Sequence, residues 1–194
     1  AAGTQALMRI VGGRLRGRAL VTPSDSRVRP TSDRVRESVF NILAHNEFGD
    51  GFRLEDARVL DLFAGTGALG CEALSRGAKF CLFVDSDADS RGLTRQNVEA
   101  LGLTGVSKIW KRDATALGPV PANANGPYTL IFADAPYRRT LTERALASAR
   151  DGGWLAPGAV VMAETAADEP ALSLAGFEMQ HERSYGETRV SFLV

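Results

Sequence analysis

The sequence predicts an α/β fold: a doubly wound, mainly parallel sheet with helices on both faces. Three observations predict it. Short apolar runs at 57–62, 80–84 and 128–133 are each followed by a turn and a helical stretch. The first run passes into its helix through Gly65-Thr66-Gly67-Ala68-Leu69-Gly70, a glycine turn that ends a buried strand. Aspartates close the second and third runs, at Asp85 and Asp134, where open α/β sheets bind ligands.

Residues 1–7 read as an added leader, with Met8 the natural start. The stretch Met8 to Leu20 carries two short apolar patches around Gly12-Gly13 and reads as a β-hairpin with arginine-bearing edges. Residues 21–28 read as loop. The predicted organisation is therefore a basic hairpin arm, 8–28, on a main domain, 29–194. A helix starts near Thr31 or Ser32, either of which can cap it, and Asp33 suits its first turn. Val35, Val39, Ile42 and Leu43 form its apolar face, with Arg34 and Arg36 elsewhere on the wheel. Residues 47–54 read as a linker.

The main domain then alternates. Strand 57–62 precedes helix 68–76, and strand 80–84 precedes helix 88–101, which carries Leu93, Asn97 and Leu101. Strand 106–110 ends near Asp113, and 114–127 reads as a loop rich in Pro, Ala, Gly and Asn. Strand 128–133 runs into Asp134-Ala135-Pro136-Tyr137. Helix 139–150 and strand 159–164 follow, and 176–184 with 189–194 make a closing antiparallel hairpin around Tyr185-Gly186-Glu187. That hairpin replaces the last βα unit of a dinucleotide-binding fold. No internal repeat is visible.

Composition narrows the function. At 194 residues the chain suits one domain, and 44% apolar residues suffice for a full core. No apolar run reaches the ~18 residues of a membrane span, and no signal peptide is visible. Cys71 and Cys81 lack metal-ligand spacing and read as buried hydrophobes, so a cytoplasmic location is expected. With only His45 and His181, no histidine-based metal site or triad is expected. The net charge is zero but uneven. Residues 1–36 hold eight arginines against Asp25 and Asp33, leaving 15 basic and 21 acidic groups for the rest. A basic arm on an acidic body points to a polyanionic partner, RNA or DNA.

Two stretches carry chemistry. The glycine turn satisfies G-x-G-x-x-G, which alone is shared with dinucleotide sites. Asp61, just before it, would repel a pyrophosphate and suits a cationic cofactor, which favours S-adenosylmethionine over NAD. Asp85 lies 20 residues after Gly65, where an acid accepts from ribose hydroxyls. Asp87 and Asp89 read as helix-capping or solvated residues, and Asp113 as either an adenine contact or a loop aspartate. The second stretch is Asp134 to Tyr137. An exocyclic base amine is a poor nucleophile because its lone pair is delocalised into the ring. Acceptors on both its hydrogens, the Asp134 carboxylate and a backbone carbonyl, draw the nitrogen towards tetrahedral geometry. Pro136 stiffens the turn and Tyr137 offers a face to an extruded base.

With these residues in view, the chain resembles the class I S-adenosylmethionine-dependent methyltransferases, with their Rossmann-like fold. More closely it resembles the RsmD family of 16S rRNA guanine-N2 methyltransferases. The likeness covers nearly the whole chain and is most specific in Met8-Arg9-Ile10-Val11-Gly12-Gly13 with Arg16-Gly17-Arg18, and in 29–41, Arg29-Pro30-Thr31-Ser32-Asp33-Arg34-Val35-Arg36-Glu37-Ser38-Val39-Phe40-Asn41. It implies a seven-stranded sheet whose last strand is antiparallel. It implies that Asp61, Phe63, Gly65 and Gly67 hold the methionine end of the cofactor, Asp85 and Ser86 the ribose, and Asp113 and Ala114 the adenine. Asp134, Pro136 and Tyr137 would form the catalytic target-base site. Arg9, Arg14, Arg16, Arg18, Arg29, Arg34 and Arg36 would hold 16S rRNA within the small ribosomal subunit, with the enzyme a monomer. The family tetrad is usually Asp-Pro-Pro followed by Phe or Tyr, and Ala135 departs from it, loosening the turn while leaving acceptor and aromatic in place. The rival readings are an adenine-N6 or protein-glutamine methyltransferase, disfavoured by Asp134 and the arm; an NAD-dependent oxidoreductase, disfavoured by Asp61; and a non-catalytic RNA-binding assembly factor, separated only by an activity measurement.

Overall fold

A computed structural model describes residues 8–23, 31–46, 48 and 51–194. Its elements are β1 (Met8–Arg9), β2 (Ala19–Leu20), α1 (Asp33–His45), β3 (Arg58–Leu62), α2 (Ala68–Ser75), β4 (Phe80–Val84), α3 (Ala88–Ala100), β5 (Ser107–Trp110), β6 (Tyr128–Ala133), α4 (Leu141–Asp151), β7 (Leu155–Ala166), β8 (Met179–Tyr185) and β9 (Thr188–Leu193). Seven strands form one sheet in the order β5-β4-β3-β6-β7-β9-β8. The first five of these are parallel, and β9 lies antiparallel between β7 and β8. The chain starts at β3, winds outward to β5, then returns to β6 on the other side of β3. The strand order therefore reverses between β3 and β6, and a crevice opens at their carboxyl ends.

Alternation along each strand divides the core in two. Val59, Phe83, Leu130, Phe132, Met162 and Phe192 face α1, α2 and α3. Leu60, Leu82, Ile131 and Val161 face α4, Trp154 and Tyr128. Every residue of α2 is buried. Gly70 lets this helix lie close on the sheet, because a Cβ there would sit 2.4 Å from Phe83 Cε1 and 2.6 Å from Cys81 Sγ. Both cysteines are free and buried. Among the described residues no helix is long and apolar enough to cross a membrane.

The N-terminal antiparallel hairpin is present as read, but it is short and packed down. Its paired strands are two residues each, joined in register Met8↔Leu20 and Arg9↔Ala19. The residues between them fold down onto α2. Arg14 N donates to Ser75 O at 2.9 Å, Leu15 N donates to Ser75 Oγ at 3.0 Å, and that hydroxyl donates to Gly12 O at 2.7 Å. Gly13, at φ +78°, would place a Cβ 2.0 Å from Ser75 O. The glycine pair thus serves close approach to a helix rather than a slim projecting ribbon. Met8, Ile10, Leu15 and Leu20 join the main core.

Three further readings are corrected in detail. Ser32 alone caps α1, accepting from Val35 N at 3.2 Å, while Thr31 turns its hydroxyl elsewhere. The 114–127 segment contains two short 3-10 turns, Ala114–Ala116 and Ala122–Ala124. Strand β7 begins at Leu155 rather than 159, because exposed Pro157 and Gly158 sit where the pairing with β6 is irregular between Tyr128 and Leu130.

Candidate active site

Sheet register brings the acids together. Leu62 pairs with Val84 on one side and with Ala133 on the other, and Ala133 pairs with Ala163. Phe63, Asp85 and Asp134, each the first residue past its strand, therefore share one level with Glu164 of β7.

The turn after β3 is built for tight curvature. Phe63, Gly65 and Gly67 all have positive φ, of 56°, 59° and 79°. The turn delivers the chain into α2, where Thr66 Oγ1 accepts from Ala68 N at 3.3 Å. Asp61 is 1% exposed and accepts from Gly70 N at 3.1 Å. Burial, with a smaller push from Asp85, holds its carboxyl well above the usual carboxylate range, against the pull of the Gly70 amide. A cation brought beside it would relieve that cost. Asp85 is fixed by two backbone donors, Gly65 N at 3.0 Å and Asp87 N at 2.9 Å. Its remaining lone pairs are available to hydroxyl donors.

The sequence reading missed the brace under this turn. Thr94 Oγ1 donates to Gly65 O at 2.8 Å, and Asn97 Nδ2 donates to Thr66 O at 2.8 Å. Both residues are fully buried on α3. Their signal was two polar residues at helical spacing with Leu101, on the face that packs inward. Asn97 also exchanges hydrogen bonds with the Val21 backbone, so the arm and the glycine turn share one side chain. Asp87 caps α3 through Ser90 N at 2.9 Å, as read, and Ser86 beside it is exposed. Asp113 is exposed and accepts from Thr115 N at 2.8 Å and Thr115 Oγ1 at 2.7 Å, which hold it below the usual carboxylate range. Ala114 next to it is buried.

On the other side of the crevice lies a second cluster. Asp134 is half-buried, Ala135 buried, Pro136 exposed and Tyr137 half-buried. Thr31 Oγ1 lies 3.2 Å from Asp134 Oδ2 and 2.8 Å from Glu164 Oε2. Tyr137 donates its hydroxyl to Glu164 Oε1 at 2.7 Å and lies 3.0 Å from Thr188 Oγ1. Burial first, then the charge of Glu164, raise the Asp134 carboxyl well above the usual range. Burial likewise raises the Tyr137 phenol, so it stays a donor. Glu164 and Thr188 were not singled out from sequence, and Thr31 was read only as a helix cap. Glu164 left one signal: an acid closing an otherwise apolar strand.

The arginines divide. Arg9, Arg14, Arg16, Arg18 and Arg34 are exposed, although Arg9 reaches Gly17 O at 2.9 Å and Arg18 reaches Ala100 O at 2.8 Å. Arg36 is a correction. It is completely buried, paired with Glu72 at 3.1 Å and Asp33 at 2.7 Å, so it has no surface to offer RNA. Its position on the inward face of α1 beside Phe40 follows from having a buried carboxylate to meet. Arg29 lies outside the described residues.

The family model described as conserved hypothetical protein 95 matches residues 8–194. The chain is 37% identical over 158 residues to Ribosomal RNA small subunit methyltransferase D of Escherichia coli (strain K12), covering 81% of this chain and 74% of that protein. It is 31% identical over 180 residues to the protein of the same name from Haemophilus influenzae, covering 92% and 89%. Among solved structures, Escherichia coli yhhF, described as a candidate methyltransferase, matches with a TM-score of 0.80 at 31% identity, over 96% of this chain and 97% of that one.

Proposed function

Since the chain belongs to the RsmD family of rRNA methyltransferases, the family whose model is described as conserved hypothetical protein 95, we propose that it methylates the exocyclic N2 of a guanine in 16S rRNA, as a guanine(966)-N2 type enzyme. The observation that carries this reading is the pair Asp134 and Glu164, side by side across the crevice from the glycine turn. Guanine presents two adjacent donors, N1–H and N2–H₂, beside its O6 acceptor, whereas adenine presents an acceptor at N1 beside its amine. An acid at this site suits the adjacent donor pair.

S-adenosylmethionine fits the opposite half of the crevice and supplies, when bound, a methyl group on an electron-poor sulfonium carbon. Buried Asp61 offers its carboxylate to the cationic methionine end, with Phe63, Gly65 and Gly67 shaping the wall around it. Asp85, aimed by two amides, takes ribose hydroxyls, with Ser86 beside it. Asp113 and Ala114 border the adenine. The Asp134 carboxylate accepts from the amine hydrogens and thereby exposes the nitrogen lone pair. Pro136 holds the turn, and Tyr137, pinned through its hydroxyl, presents its ring to the splayed base. Much of the rate then comes from alignment of amine and methyl carbon. Exposed Arg9, Arg14, Arg16, Arg18 and Arg34 clamp RNA phosphates, placing a monomer on the small subunit in the cytoplasm.

The test is a transfer assay with labelled S-adenosylmethionine and unmodified small ribosomal subunits, naked rRNA and duplex DNA in parallel, followed by analysis of the product nucleoside. N2-methylguanosine at one rRNA site is the expected product. N6-methyladenosine, or transfer to DNA alone, refutes the reading.

A further inference from the structure

The Thr31 hydroxyl has two carboxyl groups within reach and one hydrogen to give. Its contact with Glu164 is the shorter, 2.8 Å against 3.2 Å to Asp134. Glu164 also receives the Tyr137 hydroxyl at 2.7 Å. Two donors therefore converge on Glu164, which is 7% exposed. Asp134 has the longer contact with the Thr31 hydroxyl and a side-chain hydrogen bond with Glu164 itself. Glu164, side by side with Asp134, thereby raises the proton affinity of the Asp134 carboxyl.

We propose that Glu164 is a positioning residue that makes Asp134 a proton acceptor for the target amine, through the shared Thr31 hydroxyl and its own fixed charge. This rests on the reading that Asp134 faces that amine. In the step, the N2 lone pair forms the bond to the methyl carbon, and the carbon–sulfur bond breaks with its pair staying on sulfur. The nitrogen, now positive, gives one proton to the Asp134 carboxylate, which later releases it to water. A carboxylate at its ordinary proton affinity would be a weak base for this, and burial with Glu164 beside it strengthens it. The other groups facing Asp134 do not change the sign. Asp61 of β3 adds negative charge, Tyr137 is neutral, and the Thr31 hydroxyl pulls the other way but is outweighed by burial and Glu164. Arg36 of α1 donates to Thr31 O at 3.2 Å but spends its charge on Glu72 and Asp33.

The experiment compares wild type, Glu164→Gln and Thr31→Ser. Carboxyl ¹³C NMR follows Asp134 in the free protein, and kcat/KM for methyl transfer is measured against pH. Glu164→Gln is expected to move the Asp134 titration and the acid limb of the profile together to lower pH. It should lower kcat about tenfold and leave cofactor affinity unchanged. Thr31→Ser keeps the hydroxyl and should follow wild type. An unmoved limb and titration in folded Glu164→Gln overturn the role of Glu164, as does a Thr31→Ser variant impaired to the same degree. A wild-type reaction lacking N2-methylguanosine instead overturns the base-site reading beneath it, and the NMR titration tells the two failures apart.

Discussion

Glu72 is fully buried at the centre of a hydrogen-bonded cluster, and Glu72→Ala is the substitution whose cost the structure defines best. Its side chain is fully buried on α2 and meets four donors. Oε1 accepts from Arg36 Nε at 3.1 Å and Val11 N at 3.0 Å, and Oε2 from Gly12 N and Arg76 Nε, both at 3.0 Å. One carboxylate thus ties the hairpin, α1 and α2 together. Removing it strands the Arg36 guanidinium, which is fully buried, and breaking such a pair costs about 3–5 kcal/mol. Each stranded amide adds about 1–3 kcal/mol, reduced where water enters the vacated space. Arg36 keeps Asp33 and the Thr31 carbonyl, so the lower half of the combined range applies, about 5–8 kcal/mol. That is a large share of the ~5–15 kcal/mol that holds a domain folded. Glu72→Gln keeps the shape but sets an amide N–H₂ against donors, and should cost about half as much. Urea unfolding measures both, and the alanine variant should also be cut faster by trypsin after Arg14, Arg16 and Arg18 as the hairpin backbone loosens from α2. A loss below about 1 kcal/mol for Glu72→Ala would refute the reasoning, since it would mean that the buried cluster contributes nothing net.

Three other substitutions probe the rest of the fold and site. Asp61 has its proton affinity raised in the folded protein, so the stability tied to its neutral form is present below the unfolded pKa of about 3.9 and is lost as pH rises through the higher folded value. Asp61→Asn should therefore raise Tm at pH 7 and leave it unchanged near pH 3, while weakening cofactor binding; an equal Tm gain at both pH values would contradict the sign. Gly70→Ala drives a methyl group into Phe83 and Cys81 and should cost about 1–3 kcal/mol in denaturant unfolding, whereas neutrality would show that α2 can shift on the sheet. Replacing Arg16 and Arg18 together with alanine should weaken RNA binding and reduce the slope of log K against log salt by about one for each phosphate that is no longer neutralised. An unchanged slope would remove the hairpin from the RNA interface.

Much of this molecule is written locally. An apolar run, a glycine turn and a helical stretch at 57–76 need only neighbours to read, because strand period and turn chemistry act over a few residues. The same is true of Asp85 and Asp134, which stand at strand ends by their position in the chain. The closing hairpin around Gly186 was legible for that reason too. Readings that depended on distant partners fared differently. Arg36 looked like one more surface arginine, since nothing near it announces Glu72, 36 residues further on. Gly12-Gly13 looked like a hairpin turn, since the helix they approach lies about 60 residues away in the chain.

Local patterns along the chain suffice for the fold class, the glycine turn and the acid proposed to meet the base. Which side chains surround that acid depends on the folded core. Thr31 and Glu164 are separated by 133 residues, and Tyr137 and Thr188 by 51. They meet because parallel strands in register bring their carboxyl ends to one level, and because α1 packs across that edge. Register and packing come from burying two apolar faces of a sheet, a property of the whole core that no local stretch encodes.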